Sequence, residues 1–171
     1  MRISKSEYYL GLAKAVSKRG TCLRRVYGSV IVLNDQVVST GYCGAPRGVK
    51  DCTERDNCYR LIRNVPSGQR YELCRSVHSE QNAIINAARA GVSIYGGVMY
   101  IYGFNKVDEE LCLGYPCLMC LKATINAGIK NIIYSNPEDV EGFTLLSLSR
   151  VVEEWNNPEN DIFDEKEKGN D

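Results

Sequence analysis

A single histidine, His78, stands among the 171 residues of this chain, so any imidazole chemistry runs through one position. Net charge is also absent, with 21 Lys and Arg against 21 Asp and Glu. Together with 44% hydrophobic residues this excludes an intrinsically disordered chain. No apolar run approaches the roughly 18 residues of a membrane span, so no membrane partner is expected. Met1 to Glu7 lead into a charged amphipathic segment rather than an apolar stretch ahead of a cleavage site. No secretory signal is read there, and the expected location is the cytoplasm. Length and composition fit one domain around one core.

The zero net charge conceals an asymmetry. Residues 1–75 hold 14 basic and 6 acidic side chains, and the remainder holds 7 and 15. A basic first half can attract phosphate, but the plainer expectation is that the two halves neutralise each other on folding. Eight cysteines say more. In a reducing compartment clustered thiols are candidate metal ligands rather than disulfides.

Apolar residues Tyr8, Tyr9, Leu12, Ala15 and Val16 recur at helical spacing from Ser4 to about Arg19. Residues 28–33 and 36–42, joined by Asn34-Asp35, read as a β-hairpin. Residues 43–77 show no sustained period and carry four of the cysteines, which marks a long structured insert. The pattern then predicts a helix over 79–90 with Ser79 as its cap and Gly91 as its stop, and a strand over 97–103. A helix with Pro116 at its first position, a strand over 131–134 and a last helix near Phe143 to Trp155 follow. This order describes an α/β fold, a three-layer α/β/α sandwich with a mixed central sheet. A single domain is expected over 1–157, and residues 158–171 read as an acidic, frayed tail.

Two motifs open successive helices. His78-Ser79-Glu80 begins one, and Pro116-Cys117-Leu118-Met119-Cys120 begins the next. Cys117 and Cys120 are three apart, hence on one helical face, and helix N-termini favour thiolates. With His78 they supply three ligands and leave a fourth tetrahedral position open, the arrangement of a catalytic zinc. Glu80, two residues from a ligand, is placed to handle protons without binding the metal. This pairing of H-x-E with P-C-x-x-C resembles the known signature of the zinc-dependent nucleobase deaminases. Cys22, Cys52, Cys58 and Cys74 offer a second, structural zinc site that would pin the insert. Their irregular spacing lacks paired C-x-x-C knuckles, so unlinked buried thiols are the alternative. Cys43 and Cys112 read as simple thiols.

From about Ser6 to Tyr134 the chain resembles the deoxycytidylate (dCMP) deaminases of the cytidine deaminase superfamily. The resemblance rests on Gly41-Tyr42-Cys43-Gly44-Ala45-Pro46-Arg47-Gly48, on the run Cys74 to Ile84, on Pro116 to Cys120 and on Ala127-Gly128-Ile129-Lys130. It implies a cytidine deaminase-like fold, hydrolysis of dCMP to dUMP and ammonia for thymidylate synthesis, and two zinc ions, one catalytic and one structural. It would make Glu80 the proton shuttle and His78, Cys117 and Cys120 the catalytic zinc ligands. The Ser79 amide and the Tyr115 carbonyl would meet the pyrimidine. The loop bearing Cys43, Gly44 and Ala45 would approach the sugar, with Arg47 as a phosphate contact. It further implies a homo-oligomer, often a hexamer, with dCTP and dTTP as effectors.

The family commonly has Asn where this chain has Cys43, and a thiol is a poor substitute for an amide in holding a sugar hydroxyl. Alanine, frequent between the His and the Glu, is replaced by Ser79. Two other readings stand beside the first. One is a deaminase of another nucleotide or of a tRNA base, although the acidic second half argues against a nucleic-acid partner. The other is a non-catalytic, zinc-stabilised nucleotide-binding module, which would have no need of Glu80.

Overall fold

The computed structural model describes residues 2–157. The acidic tail expected over 158–171 lies outside the described residues. Ser4 starts the first helix, α1 (Lys5–Ser17), through a capping box: its hydroxyl accepts from the Glu7 amide and the Glu7 carboxylate accepts from the Ser4 amide. Strands β1 (Arg25–Leu33) and β2 (Gln36–Tyr42) form the expected hairpin. Its two-residue turn has positive φ at both Asn34 (50°) and Asp35 (64°), the geometry that matches strand twist. The Tyr9 hydroxyl, donating to Asp35, and the Lys5–Asp35 ion pair tie that turn to α1.

The insert contains two short elements that periodicity did not reveal, α2 (Tyr59–Ile62) and a 3₁₀ turn at Tyr71–Leu73. After it come α3 (Ser79–Ala90), β3 (Val98–Asn105), a two-residue β4 (Leu111–Cys112), α4 (Leu118–Asn126), β5 (Asn131–Ser135), β6 (Phe143–Ser147) and α5 (Leu148–Trp155). The strands make one sheet in the order β2-β1-β3-β5-β6, with β4 paired to β3. Among the described strands only β3 and β5 run parallel, joined through α4, so the sheet is mixed as expected.

Alternation along the strands builds a core on each face. Ile31, Met99, Ile101, Ile132 and Tyr134 point to one side, against Ala83 and Ala87 of α3, Leu121 of α4 and Val151 of α5. Val30, Val32, Tyr100 and Ile133 point to the other, against Tyr9, Leu10 and Ala13 of α1. The result is the three-layer α/β/α sandwich.

Four local expectations are corrected. Residues 143–147 are strand, not helix: a reversal closed by the Asn136 amide on the Gly142 carbonyl lays Phe143–Ser147 antiparallel on β5, where its backbone finds partners. The cap of α3 is His78 rather than Ser79, and Pro116 lies ahead of the cap of α4, which is Cys117. Strand β1 begins three residues earlier than Gly28 because Arg25 to Tyr27 pair with the end of β3.

Candidate metal centre and active-site cavity

His78 and Cys117 cap their helices with nearly the same backbone conformation, φ −69° and ψ 154° against φ −66° and ψ 161°, and neither side chain is used in capping. The imidazole and the thiol are thus left to point away from their own helices. Both helix N-termini converge there, adding free amides and the positive ends of two helix dipoles. Glycine makes the approach possible. A Cβ on Gly41 of β2 would fall 2.2 Å from the Ala83 amide nitrogen and 2.4 Å from the Ser79 carbonyl. The first turn of α3 therefore lies directly on the strand.

The sulfurs of Cys117 and Cys120 lie 3.5 and 3.3 Å from His78 Nδ1. All three ligand atoms fall within 4.8 Å of one another, and among the described residues this is the one such group of three or more His, Cys, Asp or Glu. The hydrogen bond from Cys120 brings the Cys117 thiol well below its ordinary value, and the same bond pushes Cys120 upward. Burial pulls His78 down, but its bond to Cys117 and the charges of Glu80 and Cys117 outweigh that and leave it above its ordinary 6.5. A centre that gathers negative charge around an imidazole fits a divalent cation with nitrogen and sulfur ligands.

Glu80 is 6% exposed. Its carboxylate accepts from the Ser79 hydroxyl at 2.9 Å, which in turn accepts from the Ser29 hydroxyl at 2.8 Å. This chain from β1 through α3 holds Glu80 in place. The Ser79 side chain is a contact to Glu80 that sequence reasoning missed, and its signal was the departure from alanine.

The centre opens into a cavity of about 1000 Å³. Tyr115, expected beside the base, lines it, half-exposed and edge-on to Tyr134. Cys43 lines it too, but its sulfur accepts from the Tyr27 amide at 3.2 Å, and burial raises the thiol to about 12. That sulfur is engaged with the backbone. Gly44 forms an antiparallel bridge with Val77, joining the two ends of the insert. Gly44, Ala45 and Arg47 do not line the cavity. Arg47 is exposed and donates to Asn86 Oδ1 of α3 at 2.8 Å, because its loop runs along the outer side of that helix.

The insert instead sends in residues that carried no sequence signal. Tyr71 packs edge-on to His78 with ring centroids 5.0 Å apart, and Arg60 lies over the Tyr71 ring at 4.8 Å. Cys22, Cys58 and Cys74 line the same cavity, whereas Cys52 is buried. Burial raises the Cys52 thiol, and the sulfurs of Cys22, Cys74 and Cys58 raise it further, against a hydrogen bond from Arg75. The four sulfurs thus surround one region without the close ligand spacing of the first centre.

The model of the cytidine and deoxycytidylate deaminase zinc-binding region matches residues 3–136. A protein of Schizosaccharomyces pombe named deoxycytidylate deaminase is 32% identical over 165 residues, covering 95% of this chain and 47% of that protein. Its namesake in Saccharomyces cerevisiae is 31% identical, covering 89% of this chain and 45% of the relative. The chain thus spans about half the length of both. Among solved structures, the dCMP deaminase of cyanophage S-TIM5 in complex with dCMP and dUMP superposes with a TM-score of 0.59 at 25% identity, covering 80% of this chain and 84% of the other.

Proposed function

Because the chain belongs to the cytidine and deoxycytidylate deaminase family, we propose that it hydrolyses dCMP to dUMP and ammonia with zinc bound by His78, Cys117 and Cys120. The observation that carries this reading is the convergence of those three ligand atoms in a cavity that also holds a buried carboxylate. Zinc bound there supplies hydroxide at neutral pH by lowering the pKa of water towards about 7. Glu80 would accept the proton that water gives up and hand it to ring nitrogen 3 as hydroxide adds to carbon 4, then take the proton of the new carbon-4 hydroxyl and pass it to the amino group, which leaves as ammonia while the carbon-4 carbonyl forms. Ser79 and Ser29 keep its carboxylate aimed through both transfers. The Ser79 amide, at the start of α3, and the Tyr115 carbonyl are the groups assigned to the pyrimidine.

The four-cysteine cluster is assigned to a second, structural zinc. What supports it is placement: the buried Cys52 thiol feels the sulfurs of Cys22, Cys74 and Cys58, against a hydrogen bond from Arg75. A cation there would relieve that crowding and draw the insert together. Residues 1–157 are taken as one deaminase domain that includes this insert. A homo-oligomer, a hexamer as the family resemblance implies, with dCTP and dTTP as effectors and a cytoplasmic location, belongs to the same reading. No helix among the described residues is long and apolar enough to cross a membrane.

The test is ammonia release from dCMP, dCTP, CMP, deoxycytidine and a tRNA by purified, zinc-loaded protein, with and without dCTP. Preferred turnover of dCMP is expected. Turnover of the tRNA alone, or of none of the five, overturns the reading.

A further inference from the structure

Between Ala45 and Val77 only two side chains are buried, Cys52 and Arg60. The first belongs with the proposed second zinc, but the second has no such account. Arg60 is 8% exposed, and a guanidinium so buried ordinarily lies against a carboxylate. The ion pairs among the described residues are Lys5–Asp35 and Arg70–Glu72, and neither involves it. Its Nη2 donates to the carbonyls of Pro66 and Gln69, and the ring of Tyr71 covers one face. Its Nε–H is buried and has no partner. Arg60 lines the cavity that holds His78 and Glu80, and Tyr71, in contact with both Arg60 and His78, fixes the spacing between guanidinium and metal centre. Arg24 lines this cavity as well.

We propose that Arg60 is the specificity-determining residue through which the insert recognises the substrate's phosphate. The inference rests on the nucleotide-deaminase reading of the site, which supplies an anionic substrate. The Glu72 carboxylate feels the charge of Arg60 but is paired with Arg70, so an anionic oxygen accepting from Nε–H satisfies the donor that Glu72 leaves unmet. Two backbone carbonyls and an aromatic face hold the planar group in advance, so little freedom is lost when phosphate arrives. Arg24 adds positive charge to the same cavity, whereas Arg47, bonded to Asn86, is turned away from it. In this chain the insert thus carries part of the substrate site.

The experiment uses the full chain loaded with zinc. Calorimetric titration with inorganic phosphate, and kcat/KM for dCMP and for deoxycytidine, are measured for wild type, Arg60→Lys and Arg60→Met. In Arg60→Met the phosphate affinity is expected to fall at least tenfold, and the ratio of kcat/KM for dCMP over deoxycytidine about 30-fold. Equal phosphate affinity in wild type and Arg60→Met overturns the proposal, as does an unchanged ratio, which would make Arg60 a prop for Tyr71 and His78. If wild type turns over no cytosine nucleotide, the reading of the reaction fails, while the phosphate titration still decides on Arg60. Should Arg60→Met not fold, the Nε–H correlation of Arg60 in labelled wild type, identified by its loss in Arg60→Lys, is followed during phosphate titration. A downfield shift supports the proposal, and an unmoved signal overturns it.

Discussion

The metal centre and the insert sit on the same cavity but are held by opposite means. His78, Cys117 and Cys120 stand on two helices of 12 and 9 residues, each pressed on the sheet by buried apolar side chains. The insert has one helix of 4 residues, exposes Leu61 and Ile62, and is held by polar contacts. Arg75 donates to Asn57, and the guanidinium groups of Arg63 and Arg75 lie over the Tyr59 ring. Ligands on packed helices reach close spacing through folding alone, whereas ligands on a segment without an apolar core depend on what binds them to bring them together.

The sharpest way to probe this contrast is to remove chemistry from the rigid half and leave its frame intact. Glu80→Gln keeps the shape of the side chain and every metal ligand. It should lower kcat by about 10²- to 10⁴-fold with unchanged zinc content and melting temperature. Retained activity would remove Glu80 from the mechanism. The converse cut falls on the insert: Cys58→Ser should reduce bound zinc from two ions per chain to one. It should lower the melting temperature by about 5–15 °C before the chemistry of the surviving protein suffers. Unchanged zinc and melting temperature would sink the second site.

A smaller effect separates orientation from structure within the rigid half. Ser79→Ala removes the hydrogen bond to Glu80 and should cost about three- to tenfold in kcat, roughly 1 kcal/mol, with KM and zinc content unaffected. Adding Ser29→Ala should change little more, since both hydroxyls act through one chain. The smallest expected effect is on pH. His78 in the metal-free protein titrates above its ordinary 6.5. It therefore contributes stability that is complete below pH 6.5 and is lost as pH rises through its folded value. Zinc requires the neutral ring, so it gains from the same rise. The difference in melting temperature between zinc-loaded and metal-free protein should widen from pH 6 to pH 8, and a constant difference would take His78 out of the ligand set.

Legibility in the sequence follows the same division. The hairpin, both site helices and the grouping of His78, Cys117 and Cys120 were readable because each depends on local signals: a two-residue turn, a cap and i, i+3 spacing. Phe143 to Ser147 were misread because their strand character comes from pairing with β5, which local pattern does not encode. Arg60 and Tyr71 were missed because nothing periodic sets them apart from the other arginines and tyrosines of the insert, and only the tertiary stack on His78 distinguishes them. Arg47 had the better motif and the wrong location, bound to the outer side of α3.

The bridge between Gly44 and Val77 has a consequence for how such a chain can vary. The segment leaves the sandwich and returns to it at one neck, so its length is uncoupled from the register of the sheet. Each doubling of a flexible loop adds only about 0.6 kcal/mol of closure entropy. What lies beyond the neck can grow, shrink or be exchanged as a cassette while the catalytic frame keeps its shape, which makes Gly44 and Val77 natural splice points for chimeras between deaminases.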